Sequence, residues 1–181
     1  MIDKDAEKQI VSLSETIESK FYGKYRGIVT KIGTSRNDVG VISVKIPDVF
    51  HEVEIPLAQP VLQFAGKDWG FAAFPKEGDG VWIEFEGGNQ SKPIWTGGYW
   101  FTKNEMPNSV DWDTISLVSR FGHKIIMDDK NKKLSLVHSS GPEINLTADK
   151  IIFKVGNTEV VISKTGLKIN EDLFEVDTSR E

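Results

Sequence analysis

The chain has 181 residues, with 22 basic and 27 acidic side chains spread along its length. A chain of this size can bury one good core, or one small domain beside an extended element. There is no concentrated basic face of the kind that binds nucleic acid, and the absence of cysteine excludes disulfides, thiol nucleophiles and Cys-ligated zinc. No apolar run approaches the roughly 20 residues of a membrane span, and the N-terminus does not resemble a signal peptide. We therefore expect a protein that is made in the cytoplasm.

Residues 3–21 predict a short amphipathic helix within an N-terminal segment that spans residues 1–24. A helix this short is marginal alone, so its apolar stripe needs a partner, either the neighbouring domain or copies of itself. The stripe consists of Ile10, Leu13, Ile17 and Phe21, widened by Val11. We take Ile10, Leu13 and Ile17 as candidate contacts with a trimer partner or a hub.

Residues 25–101 predict a small β domain. Residues 81–86 alternate large apolar with acidic side chains, the period-2 pattern of a strand with one buried face. This strand forms a tight hairpin with residues 93–96, which stop at Gly97 and Gly98. Other short strands, separated by turn residues, are predicted at 26–32, 40–46, 53–58 with 60–62, and 70–75. Strands this short without a crossover helix favour a closed barrel of the OB type, with an open sandwich as the alternative.

Residues 102–114 are polar and aperiodic, and predict a linker. Residues 115–181 then form a third region in which short strands recur, at 115–118, 123–127, 133–138, 143–147, 151–155, 159–163 and 167–170. Each strand offers only two or three apolar side chains on a face. Aligned steps of this kind suggest a β-solenoid or a β-prism.

These short strands cannot enclose a core of their own, because ordering a backbone costs about 1–2 kcal/mol per residue and uncovered apolar faces offset little of it. The same face of identical chains is the simplest cover, so we predict that three chains wrap into one prism. A second small sandwich in a monomer is the alternative. The predicted interior of this stalk consists of Leu134, Leu136, Ile144, Leu146, Ile151, Phe153, Val160, Ile162, Leu167 and Ile169.

Two groups of side chains in the barrel have a functional interpretation beside a structural one. Glu84 and Glu86, with Asp79 near, are compatible with a glycosidase pair, but strand alternation explains them as a solvent face. The barrel aromatics are compatible with a stacking platform for bases or sugars. Because no basic track accompanies them, contacts with protein explain the exposed members better, and Trp69 and Trp100 are the candidates for trimer or hub contacts.

His138 precedes Ser139, and Asp128 and Asp129 lie near in sequence. A Ser/His/Asp set requires a nucleophile elbow or an oxyanion-type turn, and neither is present. His138 facing a three-fold axis is compatible with a three-His metal site, but a surface histidine is the favoured interpretation. We predict no catalytic residue, no cofactor and no metal ligand.

Two motifs and a third segment resemble the central spike family of contractile injection systems. P-x-x-G-D-x-V-W-I-E-F-E-G-G spans residues 75–88, and P-I-W-T-G-G-Y spans residues 93–99. Both are similar to the OB domain of phage baseplate spikes of the T4 gene 5 and baseplate-assembly V types, and of the VgrG proteins of type VI secretion. Residues 122–129 resemble the start of the family's β-helical stalk.

The resemblance implies a mechanical function without enzyme activity. Three chains form an intertwined triangular β-helix beneath a ring of OB domains, and contraction of a sheath drives this spike through a target envelope. The implied partners are two further copies, a separate hub protein above, a PAAR-like tip at the C-terminal end and, transiently, the target membrane, but no nucleic acid. The chain would then be assembled into a phage tail or tail-like particle. The alternative is an OB module that binds a glycan or single-stranded nucleic acid, with an accessory β domain; a cell-wall hydrolase is third.

The chain also departs from its relatives. Residues 102–114 leave no room for the lysozyme domain of the T4-type spike, and the 24 residues before the barrel leave none for the VgrG hub. The three histidines, His51, His123 and His138, form no His-x-His apex motif. We therefore expect a blunt, metal-free stalk that a separate tip protein caps.

Overall fold

The computed structural model describes residues 4–18, 20–170 and 172–174 and divides the chain into two compact units, Met1–Lys103 and Asn104–Glu181. The described helices are α1 (Lys4–Glu18) and α2 (Pro47–Phe50), with 3-10 turns at Arg36–Asp38, Glu86–Gly88 and Lys103–Glu105. The first unit contains β1 (Tyr25–Ile32), β2 (Ile42–Lys45), β3 (Glu54–Pro60), β4 (Ala65–Gly66), β5 (Trp69–Gly70), β6 (Gly80–Phe85) and β7 (Pro93–Tyr99). The second contains β8 (Thr114–Val118), β9 (Lys124–Asp128), β10 (Lys133–Val137), β11 (Glu143–Leu146), β12 (Lys150–Val155), β13 (Thr158–Ser163), β14 (Gly166–Ile169) and β15 (Asp172–Phe174).

The first unit is a closed barrel with the strand order β1-β2-β3-β7-β6. β6 pairs antiparallel with β1 and closes the barrel, while β3 meets β7 in a short parallel contact at Gln59 and Pro60. Closure removes the exposed strand edges that a small open sheet would leave. Five strands in this arrangement match the OB type of Greek-key barrel. The prediction of a closed OB-type barrel is therefore confirmed.

Alternation along the strands builds the barrel core. In β6, the side chains of Val81, Ile83 and Phe85 are buried, whereas Trp82 and Glu84 between them are only half-buried. The same period in the neighbouring strands gives one contiguous cluster. Its buried members are Val29, Ile42, Val44, Ile46, Ala58, Val81, Ile83, Phe85 and Trp95.

The prediction that the N-terminal helix reaches Phe21 is wrong, because α1 ends at Glu18. The N–H of Phe21 donates to the carbonyl of Gly88 at 3.0 Å. Its ring packs against Phe50 and Phe85, with centroid distances of 5.3 and 5.6 Å. Burial against the barrel therefore outweighs the continuation of a short helix.

Several strand bounds in the barrel also differ from prediction: β2 begins at Ile42 rather than at residue 40, and β3 ends at Pro60 rather than at residue 62. Residues 71–75 form no strand, and only Gly70 of the predicted stretch pairs, in the two-residue hairpin of β4 and β5. Phe74 instead packs edge-on against Trp95 and beside Gly40, whose φ of +87° and missing Cβ make room for it. β7 does not stop at Gly97 but continues to Tyr99, because it still pairs with Gly80 and Val81 of β6.

The second unit is a single eight-stranded antiparallel sheet in which each strand pairs with its neighbours in sequence, from β8 to β15. Each strand predicted between residues 115 and 170 is present at its place. The sheet is therefore an up-and-down meander within one chain. β15 is an additional strand that alternation did not predict.

Replacing Ile83 in the barrel core tests the packing of the first unit. Its side chain is fully buried, so Ile83→Ala should lower the free energy of unfolding by about 2–5 kcal/mol. Val53→Ala, at an exposed site, is the control and should cost less than about 0.5 kcal/mol. Urea unfolding followed by tryptophan fluorescence measures both. Equal effects of the two substitutions would contradict the assigned core.

Candidate assembly surface

The strand register of the second unit places its apolar side chains on one face of the sheet. Directly opposed residues in an antiparallel ladder point to the same side. One row across the sheet consists of Ile115, Met127, Leu134, Leu146, Ile151, Ile162 and Leu167. A parallel row consists of Leu117, Ile125, Leu136, Ile144, Phe153, Val160 and Ile169. We call the surface formed by these two rows the apolar face.

The apolar face contains every residue that was predicted to line the stalk interior. It also contains Ile115, Leu117, Ile125 and Met127, which the sequence analysis left out although β8 and β9 show the same alternation. None of the side chains in the two rows is buried within the single chain. Leu136, for example, is 43% exposed and Phe153 is 40% exposed.

Exposure along these strands is the reverse of what a water-soluble sheet normally shows. In β8 and β9 the residues of the two apolar rows are exposed, whereas the residues between them, which include Val118 and Ile126, are half-buried. A sheet with one solvated face usually turns polar side chains towards water. A contiguous exposed apolar surface of this kind marks a place where another surface binds.

The opposite face is of mixed polarity and is partly covered by its own chain. One row across it consists of Ser116, Ile126, Ser135, Asn145, Ile152, Val161 and Lys168. Ser135 and Asn145, which oppose each other in β10 and β11, are 7% and 4% exposed. The Ser135 hydroxyl donates to the Asn145 Oδ1 at 2.7 Å. In β8, the hydroxyls of Thr114 and Ser116 donate to the carbonyl of Ser109 at 2.8 and 2.7 Å. The segment before β8 therefore lies against this face and leaves the apolar face open.

Two histidines extend the apolar face at one end of the strands. The rings of His123 and His138 touch, with centroids 4.4 Å apart. The N–H of Ser139 donates to His123 Nδ1 at 3.3 Å, and the N–H of Ser140 donates to His138 Nδ1 at 3.2 Å. A neutral imidazole that accepts at Nδ1 carries its proton on Nε2. In this tautomer both rings carry an Nε2–H donor.

This tautomer does not favour a metal ligand. A histidine that binds a metal through Nε2 usually donates its Nδ1–H to an oxygen acceptor, whereas here Nδ1 of both rings accepts. In the described part of the chain, no group of three or more histidines and carboxylates is positioned to hold a metal ion. Within the same residues, neither helix has the length and hydrophobicity of a membrane span.

The barrel candidates Trp69 and Trp100 are both exposed. Trp69 lies on the β4–β5 hairpin, where its ring stacks on Phe64 at a centroid distance of 5.8 Å. Trp100 follows β7 directly. Of the helix candidates, Leu13 is exposed, and the side chains of Ile10 and Ile17 lie outside the described part of the structure. A role for any of these residues in contacts with other chains remains a prediction.

A cation lies over two half-buried aromatic rings of the barrel, Trp82 and Tyr99. The guanidinium of Arg26 lies 5.5 Å from the ring centroid of Trp82 and 5.2 Å from that of Tyr99. The Tyr99 hydroxyl donates to the carbonyl of Gly27 at 3.3 Å. Burial raises the pKa of Tyr99, and the nearby Arg26 opposes that rise. These rings are therefore engaged within the barrel rather than free to stack on a base or a sugar.

The carboxylates of the central hairpin are engaged in ion pairs. Glu84 accepts from Lys24, and this hydrogen bond holds the pKa of Glu84 below its ordinary value. Glu86 lies after the end of β6, with its carboxylate 3.9 Å from the Lys92 ammonium. A general acid needs a raised pKa, as in glycosidases. The geometry therefore supports the structural interpretation of both residues.

Residues 25–100 match the family model of the Type VI secretion system/phage-baseplate injector OB domain. The barrel is an injector OB domain. The match covers all five strands of the closed barrel and ends before the second unit begins. A comparison with curated proteins gave no match. Since this is a structural baseplate family, the injector OB domain supports a structural role for the chain in a baseplate or injection machine, assembled with a tail.

The buried Ser135–Asn145 pair of the second unit offers a test of its sheet. Ser135→Ala would leave a buried amide oxygen without its donor, which costs about 1–3 kcal/mol. Hydrogen exchange of the β10 and β11 amides should therefore speed up. Ser163→Ala, at a half-buried hydroxyl of β13, is the control and should leave those amides unchanged. The assignment of the opposite face fails if both substitutions act alike on β10 and β11.

Proposed function

We propose that the chain is the central spike of a contractile injection machine, in which three copies pack their apolar faces together to form the stalk. The observation that carries this proposal is the apolar face of the second unit, which lies exposed in a chain whose barrel is an injector OB domain. Covering this face removes apolar surface from water, which is the dominant favourable term in association.

Identical chains are the proposed cover because the strands of every copy offer the same rows at the same spacing. Closed rotational symmetry lets each copy bury the surface that it presents. Two sheets stacked face to face would also cover two apolar faces, as in a sandwich. We favour three copies because the spikes that the sequence resembles are trimeric, and the mass in solution separates the two assemblies.

In this proposal the barrels connect the stalk to a separate hub protein, with Trp69 and Trp100 as the candidate contacts. A PAAR-like tip protein caps the far end of the stalk, and the target membrane is contacted only during puncture. The chain has no enzyme activity in this function. The engaged rings of Trp82 and Tyr99 and the low pKa of Glu84 support it over a glycan-binding module and over a hydrolase.

Phe153 and Lys168 provide a matched test of the trimer, since the register places them on opposite faces of the sheet and Lys168 is exposed. Wild-type protein should have a solution mass of three times the 20.3 kDa chain. Phe153→Asp places a charge within the proposed interior and should yield single chains, because an unpaired charge is strongly disfavoured there. Lys168→Asp should keep the trimer. A wild-type mass of one or two chains, or a trimer that tolerates Phe153→Asp, would contradict the proposed stalk.

The same pair of variants tests the role in the particle. Cells that express the chain with its own sheath, tube and baseplate genes should yield contractile particles that contain it, detected by mass spectrometry after sedimentation. With Phe153→Asp the particles should lose the chain and their killing or delivery activity by at least tenfold, because the stalk does not assemble. Lys168→Asp should retain both properties. Fully active particles that lack the chain would exclude it as a spike.

A further inference from the structure

The two ends of the strands in the second unit carry different side chains on the side of the sheet that holds the apolar face. At one end His123 precedes β9 and His138 follows β10, and their rings touch. At the other end Asp113 precedes β8 and Asp129 follows β9, and the N–H of Asp129 donates to the carbonyl of Asp113 at 2.9 Å. Strand alternation continues the apolar rows into these residues. We call the two edges the histidine margin and the acidic margin.

Each margin is incomplete within one chain. Both histidines are exposed, and their Nε2–H donors have no partner among the described residues. Asp113 and Asp129 are exposed carboxylates that oppose each other directly across two strands, an arrangement that like charges make unfavourable. The acidic margin therefore attracts donors, and the histidine margin offers two of them.

Other charged side chains lie beside Asp113 and Asp129 at the same end of the strands. Asp128 lies on the opposite face and accepts from Asn131, which holds the pKa of Asp128 low. Lys132 lies in the β9–β10 turn, where its N–H donates to the carbonyl of Asp129. Lys130 and Lys132 of this turn balance the charges of Asp113 and Asp129, so the acidic margin offers two carboxylate acceptors without a net negative charge.

We propose that the histidine margin of one chain docks on the acidic margin of the next chain, with the Nε2–H of His123 donating to the carboxylate of Asp129, which lies at the same height along the stalk axis, at the other end of β9. His138 and Asp113 flank this contact, one strand to either side. This inference rests on the proposed trimer. A rotation about an axis that crosses the strands brings one margin of each sheet against the other margin of its neighbour. The rotation does not shift a residue along the three-fold axis. Because β9 carries His123 at one end and Asp129 at the other, His123 of one chain meets Asp129 of the next. Complementary groups therefore meet at each corner of the stalk.

Hydrogen bonds to a charged acceptor are stronger than neutral ones and are directional. An apolar interface alone tolerates a shift of one sheet along its neighbour, since every step presents similar aliphatic side chains. Donors and acceptors at the corners fix this register, because a shift would leave them unpaired. The histidine and acidic margins would thereby set the alignment of the three chains.

The absence of native cysteine allows a direct cross-linking test. In the double variant His123→Cys and Asp129→Cys, the two thiols of one chain are separated by about 20 Å along β9. A short bismaleimide cannot span that distance within the chain. It should join the neighbouring chains at every corner and give a covalent trimer on denaturing gels. Lys124→Cys with Asp129→Cys is the matched control, because Lys124 lies on the opposite face, and should give little covalent product.

The outcomes separate this inference from the proposed function. A covalent trimer in the first variant alone supports the docked margins. A protein with trimeric mass that is cross-linked in neither variant, or equally in both, overturns them and leaves the proposed stalk intact. A single-chain mass before cross-linking overturns the proposed function and this inference with it.

A second pair of variants tests the hydrogen bonds themselves. Asp113→Asn with Asp129→Asn removes both carboxylates and should speed the exchange of chains between labelled trimers by about tenfold. Asp149→Asn, at an exposed carboxylate beside β12, is the control and should leave exchange unchanged. An unchanged exchange rate in the first variant would contradict the assigned contacts.

Discussion

The register of the antiparallel sheet is the constraint on which the second unit depends. Within each strand the apolar side chains recur at every second residue, and direct pairing of opposed residues turns that local period into two unbroken rows. A slip by one residue would move a strand's whole apolar set to the other face. The tight turns between sequence neighbours prevent such a slip. The apolar face, the mixed opposite face and the two margins all follow from this pairing.

The two units differ in how far each completes its own structure. The barrel closes on itself, and side chains such as Val44 and Ile83 are fully buried within it. The sheet has one layer, and in the described part of the second unit the segment around Ser109 lies on the opposite face, where the Ser135–Asn145 pair is buried. Domains normally need two packed layers around a core. The sheet therefore has the character of one layer of a larger assembly, which is why the proposed function assigns the missing layers to further copies.

Local signals predicted the strands of the second unit and most strands of the barrel, because alternation and turn residues act over a few positions. The predictions from sequence were wrong where contacts between residues distant in sequence determine the local structure. Phe21 leaves its helical stripe to pack on Phe50 and Phe85, and Phe74 leaves a predicted strand to pack on Trp95. The ten residues predicted to line the interior share one face, because the two-residue alternation within a strand is enough to assign each residue to a face. The histidine and acidic margins became visible only through the pairing of β8, β9 and β10, which no single strand encodes.

The proposed stalk also gives the sheet a mechanical purpose that follows from its hydrogen bonds. When the strands lie across the stalk axis, their ladder hydrogen bonds run along it, and a thrust on the tip compresses these bonds rather than shearing them. The load then passes from β15 to β8 within each chain, through contacts that are all intramolecular. The stalk would fail instead if the three sheets separated from one another. Burial of the apolar faces opposes this separation, and the directional contacts at the corners oppose a shift of one sheet along its neighbour. A chain with a complete sheet but an incomplete core is suited to this function. The hydrogen bonds that carry the axial load form when the chain folds, and the contacts that hold the sheets together form when the chains assemble.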